Sequence, residues 1–142
     1  MIFTEKQLAD IRDAISTSEK ETSGEIRVHL EKSCRGNLLD RAAYIFKTLK
    51  MHETAEKNGV LFYLAYKDKK FAILGDSSIN DMVPPNFWDE IRDKMQNHFK
   101  NSEFFEGLTE GILMAGEALK EYFPYQSDDK NELSNEVSVE KL

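Results

Sequence analysis

Cysteine is nearly absent from the chain: Cys34 stands alone among 142 residues. A single thiol closes no internal disulfide and cannot supply a thiolate zinc cluster. Histidine is scarce too. The three copies, His29, His52 and His98, show no zinc-ligand spacing to one another. No apolar run approaches the roughly twenty residues of a membrane span. The opening residues MIFTEKQLAD have neither a basic start nor an apolar core of signal-peptide length. The expectation is a cytoplasmic protein with no direct membrane insertion. Basic residues are outnumbered 19 to 26, and the formal net charge of −7 disfavours nonspecific binding to nucleic acid or to anionic lipid. The same charge is compatible with a divalent cation as partner. There is no P-loop, no dinucleotide fingerprint, no GxSxG, no zinc helix motif and no internal repeat. With 40% hydrophobic and 32% charged residues, what remains is one globular domain with a usable core.

The centre of that domain is the stretch 58–80, NGVLFYLAYKDKKFAILGDSSIN. Val60 to Tyr66 is apolar on both parities, as a central strand covered on both faces must be. Lys67-Asp68-Lys69-Lys70 is a charged turn, and Phe71 to Leu74 is a second apolar run. Two such runs around a short polar turn predict an antiparallel hairpin.

Upstream, Thr4-Glu5-Lys6-Gln7 matches a capping box, with Phe3 and Leu8 placed as a hydrophobic staple. Leu8, Ile11 and Ile15 continue at helical spacing, which predicts a helix over about 4–20. Residues 25–31, EIRVHLE, alternate strictly: Ile26, Val28 and Leu30 face a core, and Glu25, Arg27, His29 and Glu31 face the other way. That polar face admits two readings. It is a solvated or partly covered face with cross-strand ion pairs, His29 being exposed, or Glu25 at the strand's mouth is a ligand. Cys34 beside Arg35 has the neighbour that lowers a thiol pKa, but the closing loop and later Arg of a cysteine phosphatase are missing. Asn37 is an N-cap for a second helix over about 38–49, with Asp40 in its first turn and Leu39, Ala42, Ala43 and Phe46 as its apolar face.

A strand, a helix and a buried strand form a βαβ unit with parallel strands, to which the hairpin adds an antiparallel strand. Direction alone then brings three chain positions to one edge of the sheet: Gly24-Glu25, Asn58-Gly59 and Gly75-Asp76. Glu25 and Asp76, remote in sequence, become neighbours there. Carboxylates with Asn, Ser and backbone carbonyls are hard oxygen donors, suited to calcium or magnesium rather than zinc. The run 76–81, DSSIND, alternates oxygen side chains like the first half of a calcium loop, without the glycine and glutamate of an EF-hand. The other reading is that Asp76 and Ser77 form a turn or cap.

Val83-Pro84-Pro85-Asn86 breaks the chain, and Asn86 is read as the N-cap of a third helix. Phe87, Trp88, Ile91, Met95, His98 and Phe99 form its stripe, most simply read as core. A last helix over about 103–122 carries Gly107 and Gly111 one turn apart, which permits close helix contact. From Gln126 the chain is polar and acidic with isolated apolar residues, so a folded domain over 1–125 and a disordered tail over 126–142 are expected. Helices on both faces of a small mixed sheet make an α/β/α three-layer sandwich.

The segments GEIRVHLEKSC, MHETAEKNGVLFYLAYKDKKFAILGDSSIN, FWDEIRDKMQNHFK and FFEGLTEGI resemble the TPM domain, or TPM-phosphatase, family, which includes the thylakoid-lumen acid phosphatase protein. The most specific parts are T-x-G-E before the first strand, N-G-V-L at the second and the glycine ending the third. The resemblance implies an α/β/α sandwich, binding of a divalent cation, usually Ca2+ with Mg2+ as the alternative, and weak acid phosphatase activity in some members. Carried onto this chain, it points to Glu25 and Asp76 as metal ligands, with Asn58 and Asp81 in support. Two functions follow: a calcium-binding interaction or regulatory module with little or no turnover, or a metal-dependent phosphatase acting on phosphomonoesters. For the second, phosphate-clamping cations are limited to Arg27 and Lys57, and a base to the ligands and His52. A protein partner is compatible with the module but not identified by any motif.

Overall fold

The computed structural model describes residues 2–125 and 133–139. The first helix, α1 (Glu5–Glu19), starts where the capping box sets it. Thr4 Oγ1 accepts from the Gln7 N–H at 3.0 Å, and Gln7 Oε1 accepts from the Thr4 N–H at 3.1 Å. Then follow β1 (Glu25–Glu31), α2 (Leu38–Thr48) capped by Asn37, a 3-10 turn at Met51–Glu53, and the hairpin β2 (Gly59–Ala65) and β3 (Lys70–Gly75). After a short helix, α3 (Ser77–Met82), come α4 (Asp89–Lys100), α5 (Phe104–Leu119) and a two-residue strand, β4 (Ser138–Val139).

The sheet order is β3-β2-β1-β4. β1 runs parallel to β2 and to β4, and β2 runs antiparallel to β3. The alternation of β1 divides the interior. Ile26, Val28 and Leu30, with Val60, Phe62 and Leu64 of β2, face a large core closed by α1, α4 and α5. Leu61, Tyr63 and Ala65 face a smaller core closed by Ala42, Ile45 and Phe46 of α2. The result is the expected α/β/α sandwich, and β2 is buried along its whole length, as its unbroken apolar run requires. Gly107 and Gly111 do permit close approach. A Cβ on Gly107 would meet the Phe99 ring at 2.6 Å, and one on Gly111 would meet Met95 Sδ at 2.5 Å. His98 joins the same two helices through Glu103 Oε1 at 3.0 Å and Glu110 Oε2 at 2.6 Å.

Four expectations are corrected. The 126–142 tail is not wholly outside the fold: Leu133 is buried in the α2-side core, and Ser138 and Val139 pair with His29 and Leu30 along the free edge of β1. Leu133 supplies the apolar surface and the open edge of β1 supplies backbone partners, so few apolar residues suffice. Residues 126–132 and 140–142 of that expected tail lie outside the described residues. His29 is fully buried, since α2 and β4 cover the face that a lone strand would leave wet. Asn86 is not a cap: residues 85–88 are turns, and α4 begins after Trp88. Leu39 is exposed, and the buried face of α2 is Ala42, Ile45 and Phe46.

Candidate functional site at the sheet edge

The register places Glu25 and Asp76 at one edge of the sheet, on either side of Gly59. Glu25 of β1 pairs with Gly59 of β2. Val60 pairs with Gly75, and one step further the Asp76 N–H donates to the Gly59 carbonyl at 2.9 Å. Glu25, Gly59 and Asp76 therefore form one row across three strands, with Glu25 and Asp76 about 9–10 Å apart along it, two strand spacings. By the alternation of the pleat this row belongs to the α2 side of the sheet. Gly59 leaves no side chain between the carboxylates. The space over it is taken by Met51 and Leu133, whose nearest atoms would lie 3.4 and 3.5 Å from a Cβ placed there.

Each candidate ligand has a definite local role. Asp76 is the N-cap of α3: Oδ1 accepts from the Ser77 N–H at 2.7 Å. Its other oxygen, Oδ2, is buried without a hydrogen-bond partner among the described residues. Glu25 is buried, and its Oε1 accepts from the Leu133 N–H at 2.8 Å. Asn58 is buried and works as a clamp. Its Nδ2 donates to the Ser23 carbonyl at 3.1 Å and to Glu56 Oε2 at 3.3 Å, while its own carbonyl accepts from the Glu25 N–H. Asp81 is exposed on α3. His52 and Lys57 are exposed on the connection that reaches this edge, and Lys57 Nζ donates to the His52 carbonyl. Among the described residues no three His, Cys, Asp or Glu side chains come together as a ready metal cluster. The orphaned, buried Asp76 oxygen and the hard-oxygen character of the row fit a divalent cation. The Asn58 side-chain nitrogen is committed as a donor, so its Oδ1 is the atom that a cation would take.

A carboxylate that sequence periodicity gives no reason to single out lies at the same mouth. Glu19, the last residue of α1, accepts from the Ile26 N–H at 3.0 Å. Burial, against the pull of that N–H and with the nearby charge of Glu25, pushes its pKa up to about 7.

Further along the same face lies a buried ion network. Arg41 of α2 forks onto Glu31, Nη2 to Oε1 at 2.5 Å and Nε to Oε2 at 3.0 Å, and the Tyr63 hydroxyl donates to Oε2. Burial opposes ionisation of Glu31, but these donors outweigh it and hold its pKa below the ordinary value. His29 stacks on Tyr63 and bonds Ser138 Oγ through Nδ1 at 2.8 Å; burial lowers its pKa. The half-buried Cys34 lies at this opposite end, its N–H donating to Asp68 Oδ2. The arrangement ties α2, β1, β2 and β4 together through Glu31 and His29.

The fold and this edge define an α/β/α domain with carboxylates gathered at one end of a small mixed sheet. Residues 1–118 match the model of the TPM domain, and the chain belongs to the TPM-domain family. It is similar to the BA42 protein from the psychrophilic bacterium Bizionia argentinensis, known from an NMR structure. The two share 49% identity over 96% of this chain and 94% of that one, with a TM-score of 0.92. Two N-terminal domains solved by NMR share the fold. One, from P. gingivalis, has 19% identity, covers 88% of this chain and 82% of that one, and has a TM-score of 0.71. The other, of the cg2496 protein from Corynebacterium glutamicum, has 11% identity, covers 93% and 77%, and has a TM-score of 0.65. No curated protein matches the chain. No helix of the described residues is long and apolar enough to cross a membrane.

Proposed function

We propose that the Glu25–Gly59–Asp76 edge binds a divalent cation, calcium in preference to magnesium, and that the protein is a cation-responsive interaction module. The observation that carries this reading is Asp76 Oδ2, a carboxylate oxygen buried without a partner among the described residues, in the row that also holds Glu25. An orphaned buried acceptor costs free energy that a bound cation removes. Asp81, one turn on from Ser77 in α3, and backbone carbonyls of the edge are the further oxygens at hand. Calcium tolerates such an irregular set, whereas magnesium demands near-octahedral geometry and dehydrates reluctantly.

One observation favours the second reading, a metal-dependent phosphatase acting on phosphomonoesters. Glu19, with its pKa near neutrality, stands at the same mouth as a group able to give or take a proton. Neither the orphaned oxygen nor the row of carboxylates requires turnover, so the module is preferred.

The test is thermal unfolding with added metal. A ligand that binds only the folded state stabilises it by about 2.7 kcal/mol at a hundredfold excess over Kd. Calcium should raise the Tm of the wild type and magnesium should raise it less. Asp76→Asn should abolish most of the rise, and Asp40→Asn, at the opposite end of the sheet, should preserve it. No shift at millimolar calcium would end the cation reading. Phosphate release from a phosphomonoester that depends on metal and is lost in Glu19→Gln would favour the enzyme.

A further inference from the structure

At the hairpin-turn end of β3, five strand steps or about 17 Å from Gly75, the turn and α4 border a cavity of about 360 Å³. The buried part of its wall is carbon. The Phe71 and Phe99 rings meet there edge to face with centroids 5.0 Å apart, beside the half-buried Leu38. The exposed part is cationic: Lys69 and Lys70 come from the turn and the start of β3, and Arg92 and Lys100 from α4. Arg92, Gln96 and Lys100 are spaced four residues apart, about 6 Å of rise each, and so form one row along the helix.

Acids outnumber bases 26 to 19 in the chain, yet no acid among the described residues lines this cavity. Asp89 holds Arg92 at 3.0 Å. Asp68, next to Lys69, accepts instead from the Cys34 N–H at 2.8 Å, and Glu90 and Asp93 of α4 are not in the wall. Lys69, Lys70 and Lys100 form no ion pair among the described residues. The C-terminal end of α4 rewards a charge at Lys100, but it gives no reason for the other two. Lys69 even stands at φ 53°, a left-handed conformation in which glycine or asparagine is relaxed and lysine is not. A lysine kept there at a conformational cost points to a use for its side chain.

We propose that this cavity binds a small polyanion carried on a flat aromatic group, of the class of a nucleoside diphosphate. The three uncommitted lysines take phosphate oxygens as point charges, and a single carboxylate would leave most of their charge uncompensated. The half-buried Phe71 ring offers a face or edge to a base, as aromatic platforms do irrespective of which base it is. The exposed Gln96 amide carries both a donor and an acceptor for the edge of that base. The volume lies in the range of small-molecule sites, roughly 300–1,000 Å³. The site shares no residue with the cation edge, which lies at the other end of β3.

The experiment is a titration of the full chain, labelled with nitrogen-15, with ADP, pyrophosphate and adenosine. Metal-free buffer keeps the outcome separate from that of the cation reading. ADP should saturate at several-fold lower concentration than pyrophosphate and far lower than adenosine, since the site reads charge and ring together. The backbone amides of Lys70, Phe71 and Lys100 and the Gln96 side-chain amide should shift, and those of Glu25 and Asp76 should not. Added sodium chloride should weaken ADP, because exposed charges are screened. Lys100→Gln should weaken ADP several-fold, the scale of one exposed ion pair. Lys69→Gly should weaken it by a similar factor while holding or raising the Tm, because glycine relaxes the left-handed turn. That sign separates lost binding from lost folding. The proposal is overturned if ADP gives no saturable shift at millimolar concentration, or if pyrophosphate or adenosine binds as tightly as ADP. It is equally overturned if the shifts centre on Glu25 and Asp76, or if both lysine variants bind ADP as the wild type does.

Discussion

The backbone N–H of Leu133 donates to Oε1 of Glu25 at 2.8 Å, joining positions 108 residues apart. The same leucine is 8% exposed and covers Gly59. A segment that looks dispensable by composition thus holds a candidate ligand and completes the α2-side core.

Removing residues 126–142 should therefore destabilise the protein. It uncovers the Leu133 pocket, frees the edge of β1 and leaves the Glu25 carboxylate without its N–H. Leu133→Ala alone should cost about 2 kcal/mol, the low end for a core leucine because the site opens to solvent on one side. The Tm should fall by roughly 5–10 °C on that account. Unfolding scans of the truncated chain and of Leu133→Ala check this; midpoints equal to the wild type would show that the tail adds nothing.

Glu19 gives stability a pH dependence of definite sign. Its pKa rises from the ordinary 4.5 to about 7 on folding, chiefly by burial. Between those values the folded protein holds a proton that the unfolded chain releases, so stability falls as pH rises through that window. Below pH 4.5 the contribution is fully present, and above 7 it is gone. Glu19→Gln keeps an acceptor for the Ile26 N–H and removes the titration. Its stability relative to wild type should increase from pH 4.5 to 7 and then level off. Urea midpoints of both proteins across this range would read it, and a pH-independent difference would contradict the assigned environment.

Helix α5 packs on α1 through Gly116. A Cβ there would lie 2.5 Å from Ser18 Cβ and 2.8 Å from Ser18 Cα, and backbone cannot yield as a side chain can. At Gly111 the atoms met belong to the flexible Met95 side chain. Gly116→Ala should lose about 1–3 kcal/mol to overpacking. Gly111→Ala should lose less, because the gain in helix propensity, about 1 kcal/mol, offsets a rotamer change. Denaturant midpoints of the two variants, compared directly, decide it.

Much of this architecture was legible in the residues themselves. The capping box at Thr4, the alternation of 25–31 and the two-sided apolar run of 60–65 are local signals, and the structure keeps them. The row of Glu25 and Asp76 followed from strand direction alone. Leu133 was not legible, since one buried leucine and a two-residue ladder carry no periodicity. Six-residue α3 was too short to show a stripe, and the polar-proline run before Trp88 imitated a cap. Glu19 stayed hidden for a further reason: what marks it is burial by distant chain, a tertiary property.

Synthesis order gives the β1–β4 pairing another meaning. His29 leaves the ribosome 109 residues ahead of Ser138, its partner. At roughly 5–20 residues per second, the nascent chain carries an uncovered parallel edge for about 5–20 s. Through that interval the growing domain can present β1 to whatever strand or chaperone reaches it, and the later-made strand at 138–139 is what withdraws the offer.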